Sequence, residues 1–158
     1  MNVDMKRRLF LKQSLAAGAM GMLVGTGMLT PKAALAAAWP AEAFKNKDAS
    51  AAMKALLGTD APPASAEVKL TAPEIAENGA VVPIKVETGM AGVETITIVA
   101  VKNPLPLVAN FMMGEGAIAY ASTRIKMGTT GDVIAIVKAG GKLHSAKQEV
   151  KVTIGGCG

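Results

Sequence analysis

The chain has 158 residues, 51% hydrophobic and 3% aromatic, with 17 lysines and arginines against 12 acids. Five of those basic residues and one acid precede residue 39, so the remainder carries 12 basic and 11 acidic residues, net +1. With Arg124 as its only arginine, and aromatics limited to Trp39, Phe44, Phe111 and Tyr120, that remainder lacks the basic, aromatic surface that nucleic-acid binding needs.

The N-terminus reads as an address. Lys6-Arg7-Arg8-Leu9-Phe10-Leu11-Lys12 is followed by an uncharged run, 13–31, moderated by Gly18, Gly21, Gly25 and Gly27, and then by the alanine-rich stretch 33–38. Basic, then apolar, then small residues is the order of a twin-arginine export signal, although Lys6 stands where serine or threonine is common. The uncharged run is nearly long enough to span a bilayer, but its glycines and the small-residue site after it favour a signal over a stable membrane anchor. Residues 1–38 are therefore expected to be a signal peptide, cleaved after Ala36 or Ala38, and the protein to be periplasmic.

About 120 residues remain, enough for one domain with one core. Segment 39–66 reads as a helix over 39–57 followed by a linker. Ala43, Phe44, Lys47, Ala51, Ala55 and Leu56 fall at helical spacing, Gly58 stops the helix, and Ala61-Pro62-Pro63-Ala64-Ser65 breaks the pattern. Without a bulky apolar face, this helix is suited to packing or to a partner and not to a membrane surface.

Residues 67–154 have β texture. Val68 and Leu70 open it, Asn78-Gly79 offers a turn, and Val82, Ile84 and Val86 alternate with Pro83, Lys85 and Glu87. Pro83 implies an edge position or a bulge. After a turn over 89–92, the run 95–101 is apolar on both faces, as a buried strand would be. Further strands are expected over 107–112, 117–126, 133–138 and 142–154, with Met113-Gly114-Glu115-Gly116 and Gly140-Gly141 as hairpins. About seven short strands argue for a mainly β chain, an immunoglobulin-like antiparallel sandwich behind a short N-terminal helix. In the last strand Val150, Val152 and Ile154 are expected to face inward, and Glu149, Lys151 and Thr153 outward.

Beyond that strand lies Gly155-Gly156-Cys157-Gly158, which holds the only cysteine. Glycines 155, 156 and 158 predict a flexible carrier tail, and three extended residues take Cys157 about 10 Å past Ile154. An unpaired thiol in an exported chain cannot close an internal disulfide. Cys157 is thus incidental, a cross-linking point, or the working end of the molecule. The nearest charges, Glu149 and Lys151, lie on the preceding strand, so no neighbour in sequence activates the sulfur as a catalytic cysteine requires.

Other chemistry is sparse. One histidine and one cysteine without carboxylates at ligand spacing give no metal site, and no cofactor motif or serine–histidine arrangement stands out. His144 reads as a strand-edge surface residue. Met90, Met112, Met113 and Met127 suit core filling better than a binding surface.

The twin-arginine signal, the short helix, Glu77-Asn78-Gly79-Ala80-Val81-Val82-Pro83-Ile84, the run Asn103-Pro104-Leu105-Pro106-Leu107-Val108-Ala109-Asn110-Phe111 and the Gly155-Gly156-Cys157-Gly158 end, in that order, resemble the SoxY family of bacterial thiosulfate oxidation. That family's tail typically ends Gly-Gly-Cys-Gly-Gly, one glycine further. The resemblance implies a carrier without catalysis of its own, with sulfur intermediates held covalently on Cys157. It also implies a heterodimer with a SoxZ-like protein and visits to haem-containing, hydrolase and sulfane-dehydrogenase components. Two other classes stay open: an exported interaction module whose tail thiol forms an intermolecular disulfide, and a thiol enzyme with His144 as base.

Overall fold

The computed structural model describes residues 39–154. Contacts divide the chain after Trp39, and every element below belongs to the unit Pro40–Gly158. The expected helix over 39–57 is two helices, α1 (Ala41–Lys45) and α2 (Ala49–Leu57). The break follows from Asp48, whose extended backbone lets its carboxylate accept the Ala51 N–H at 2.8 Å and start a new helix. Gly58, at φ 80°, ends α2 with its N–H on the Lys54 carbonyl, as expected.

Eight strands follow: β1 (Val68–Thr71), β2 (Ile75–Ala76), β3 (Val82–Thr88), β4 (Val93–Ala100), β5 (Leu107–Met112), β6 (Tyr120–Ile125), β7 (Gly131–Ala139) and β8 (Lys142–Val152). They form a three-stranded sheet ordered β1-β3-β6 and a five-stranded sheet ordered β2-β8-β7-β4-β5. All pairings are antiparallel except that of β2 with β8. The result is the expected immunoglobulin-like sandwich, with one strand, β2, that the sequence pattern did not announce.

Alternation builds the core. Val82, Ile84 and Val86 of β3 point inward and Pro83 and Lys85 outward. They meet Ile96, Ile98 and Ala100 of β4 and Val133, Ala135 and Val137 of β7. The five-stranded sheet is apolar on its other face too, because the helices cover it: Ala43, Ala49, Ala52 and Met53 pack on Val99, Leu107 and Ile136. The small alanines let helix and sheet approach closely. Thr97, fully buried on the helix-side face, donates its hydroxyl to Asn110 Oδ1 at 2.8 Å.

Pro83 lies in the middle strand of its sheet, opposite Arg124 of β6. It is nonetheless locally at an edge, because β1 ends with Thr71 opposite Lys85 and pairs nothing with Pro83. Gly140-Gly141 makes the expected hairpin, with φ of 55° and 73°. The Met113–Gly116 stretch does not: β5 and β6 belong to different sheets, so this glycine-rich segment carries the chain across the sandwich, and residues 117–119 precede β6 instead of belonging to it. Met127 is core, Met90 and Met113 pack at its margin, and Met112 is exposed.

Candidate functional site

Cys157 and its neighbours Gly155, Gly156 and Gly158 lie outside the described residues, as does the expected signal 1–38. What the structure fixes is the root from which the last residues leave. The β7–β8 ladder ends at Gly131 opposite Val150. From there β8 is held by a different segment, 72–79, which leaves β1, crosses to the five-stranded sheet and returns to begin β3. In it Ile75 and Ala76 pair in parallel with Lys151 and Val152.

The hydrogen bonds continue past the strand. Lys151 N–H donates to the Glu74 carbonyl at 2.9 Å, Thr153 N–H to the Ala76 carbonyl at 3.1 Å, and Gly79 N–H to the Ile154 carbonyl at 2.8 Å. The Thr153 hydroxyl donates to the Glu77 carbonyl at 3.2 Å, and on the other side Val152 N–H donates to Thr130 Oγ1 at 2.9 Å. The strap is itself tied to the body: Gln148 Nε2 donates to the Ala72 carbonyl at 2.7 Å, Met127 N–H donates to the Gly79 carbonyl at 2.7 Å, and Ala76 is buried. Asn78 closes the turn by accepting Ala80 N–H on its side chain at 2.8 Å.

Two expectations change here. Val150 is fully buried as predicted, but Ile154 is 69% exposed, because the chain has left the ladder whose alternation would have turned it inward. Thr153, read only as an outward residue, is a junction that uses both its N–H and its hydroxyl. The strap escaped the sequence reading because a two-residue strand shows no period and its bonds are made by main-chain groups; Asn78-Gly79 was its one visible signal.

His144 is half-buried on β8, opposite Val137, and shares the face of Ala146 and Val150. It sits near the start of that strand, and Ile154 is about ten residues further along extended chain, roughly 30 Å away. Three residues carry Cys157 only about 10 Å from Ile154. With 151–154 held in place, His144 is therefore out of reach as a base for Cys157 within one molecule.

A cavity of about 540 Å³ opens between the β3–β4 and β5–β6 crossings, lined by Thr88, Met90, Val93, Glu94, Met113 and Glu115 among others. It lies beside the far end of β7 from Gly131, roughly 26 Å along that strand, so it does not receive the molecule's own thiol. At this end Glu94 is held below the usual carboxylate range by the Lys138 ammonium, 2.7 Å away, and next by the Gly141 N–H. Among the described residues no group of three or more His, Cys, Asp or Glu could hold a metal, and no helix is long and apolar enough to cross a membrane.

A family model described as "Sulfur oxidation protein SoxY" matches residues 53–157, a span that includes Cys157. Among solved structures, the sulfur carrier protein SoxY from Chlorobium limicola f thiosulfatophilum is 41% identical, with 65% of this chain and 94% of that chain covered and a TM-score of 0.58. A superoxide reductase (neelaredoxin) from Ignicoccus hospitalis aligns at 18% identity over 54% of this chain and 79% of its own, with a TM-score of 0.46, too distant to carry an argument. No curated protein matches.

Proposed function

Because the chain belongs to the SoxY family of sulfur oxidation proteins, we propose that it is a carrier that holds sulfur intermediates covalently on Cys157 and presents them to separate enzymes. The observation behind this reading is the family match running through Cys157, a few residues beyond a strand whose last described residues are tied down at one pole of the sandwich. A root set at a defined pole and a glycine-flanked thiol suit a thin arm that enters a partner's cleft. A tethered substrate keeps a high effective concentration as it passes between active sites.

In the proposed cycle a haem-containing enzyme joins the Cys157 sulfur to the outer sulfur of thiosulfate. The thiol proton leaves, two electrons pass to the haem enzyme, and a thiosulfonate remains on the protein. Hydrolysis by a metal-dependent partner then releases sulfate and leaves a persulfide; a sulfane dehydrogenase takes six electrons from its outer sulfur, with three waters supplying oxygen, to leave an S-sulfonate, and a second hydrolysis releases sulfate and restores the thiol. The chain contributes the sulfur atom and its delivery. Pairing with a SoxZ-like protein and export to the periplasm on the twin-arginine signal belong to the same reading.

The test is the non-reduced intact mass of the mature protein from cells grown with and without thiosulfate, with the modified residue located by fragmentation. Thiosulfate-dependent sulfur or sulfonate additions on Cys157 are expected, and Cys157→Ser removes them. A thiol that stays unmodified, or appears only as a disulfide whatever the growth substrate, replaces this reading with that of a cross-linking module.

A further inference from the structure

The strap over 72–79 is tied to the body at both ends yet grips the last described residues lightly. Gln148 and Met127 hold its ends and Ala76, 6% exposed, plugs it into the core. Its contact with 151–154 is made mostly by main-chain hydrogen bonds, between neighbours as exposed as Ile75 at 58% and Ile154 at 69%; of 151–154 only Val152, paired beside Ala76, packs on the core. With Val152 as the one side chain of 151–154 on the core, this junction opens at lower free energy than the sandwich behind it.

From this we propose that the strap is a clamp that sets the reach of the arm, and that Thr153 is the positioning residue for Cys157; the proposal rests on the carrier reading. Closed, the clamp holds the chain up to Ile154. Open, it frees four more residues, 151–154, which lengthens the arm by about 13 Å of extended chain. Thr153 is the bolt because it alone donates twice to the strap, through its N–H to Ala76 and its hydroxyl to Glu77. Opening also breaks the Val152 N–H bond to Thr130 Oγ1 and lifts Val152 from the margin of the core, but it leaves the β7–β8 ladder intact, since that ladder has already ended at Val150.

The test uses the mature chain and two variants. Thr153→Val keeps the β-branch and removes the hydroxyl, whereas Thr153→Ser keeps the hydroxyl. In Thr153→Val, amide exchange at Lys151, Thr153 and Gly79 should quicken about fivefold, the worth of one net hydrogen bond, with Val133, Ala135 and Val137 unchanged and Thr153→Ser like the parent. Pulsed electron-spin distances between labels on Cys157 and on Lys142→Cys should broaden in Thr153→Val by up to about 13 Å and recover in Thr153→Ser. Exchange that does not quicken at these three amides, or a distance distribution that Thr153→Val leaves unchanged, overturns the clamp. Both measurements use unloaded protein, so a chain that passes them but gains no thiosulfate-dependent mass keeps the clamp and loses only the carrier reading.

Discussion

Ser145 shows how a single side chain fastens the linker to the sandwich. It is buried in β8, and its hydroxyl lies 2.9 Å from the Pro62 carbonyl and 3.1 Å from that of Pro63. Its main chain binds the same segment, with Ser145 N–H on the Pro63 carbonyl and Ser65 N–H on the Ser145 carbonyl. The Pro63 carbonyl already takes the Ser145 N–H, so it is the half-buried Pro62 carbonyl that depends on the hydroxyl, and leaving a desolvated acceptor unpaired is costly. Ser145→Ala should therefore lower stability by about 1–2 kcal/mol in denaturant unfolding, with the main-chain bridge at Ala64 intact. A variant as stable as the parent would mean that water replaces the hydroxyl.

At the scale of elements, the root of the arm depends on how β7 begins. A Cβ added at Gly131 would fall 2.6 Å from Lys102 Cγ and 3.0 Å from its Cβ, so these parts of the β4–β5 connection lie directly over the glycine. Both contacts are near the Lys102 backbone, where the side chain has little freedom to swing away. Gly131→Ala should cost about 1–3 kcal/mol, the usual range for overpacking, and it should quicken amide exchange at Val101, whose N–H donates to the Asp132 carbonyl. Unchanged stability would show that the connection gives way easily. Nothing in the sequence marks this glycine, since it sits at a strand end like many turn glycines. The strands with clear alternation, β3 and β8, and the Gly140-Gly141 hairpin were legible because their signals are local. Asp48 before an alanine-rich run was also a visible cap signal, but the helical spacing was read through it. What stayed hidden was non-local: the crossing between β5 and β6, and the strap that turns Thr153 and Ile154 away from the expected alternation. The Gly-Gly-Cys-Gly motif could be read outright, but the anchorage of its root could not.

Viewed as a whole, the sandwich covers one edge of its larger sheet and leaves the other open. On the covered edge β8 is flanked by β2 and by the linker bridge between Ala64 and Ser145. On the other side β5 and β6 each end their sheets, leaving two strand edges of the kind that invite pairing with another chain. The same side and its crossing segment carry Leu105, Met112, Ile118 and Tyr120, which are 51%, 68%, 85% and 45% exposed. Within the run 104–111, Pro106 and Leu107 are buried, so any partner contact there falls on Pro104, Leu105 and the outer edge of β5. If the carrier pairs with an all-β SoxZ-like protein, the open side offers both the apolar area and the free main-chain groups that such a partner requires. The double change Met112→Glu with Ile118→Glu should then weaken the heterodimer at least about tenfold in calorimetric titration, since it places two charges in a desolvated contact. Both residues are exposed, so the variant's own unfolding midpoint should not move. Ile75→Glu, on the strap, serves as the matched control and should leave the affinity unchanged. The reverse result would place the partner at the pole of the arm, where it would cover the clamp and govern its opening.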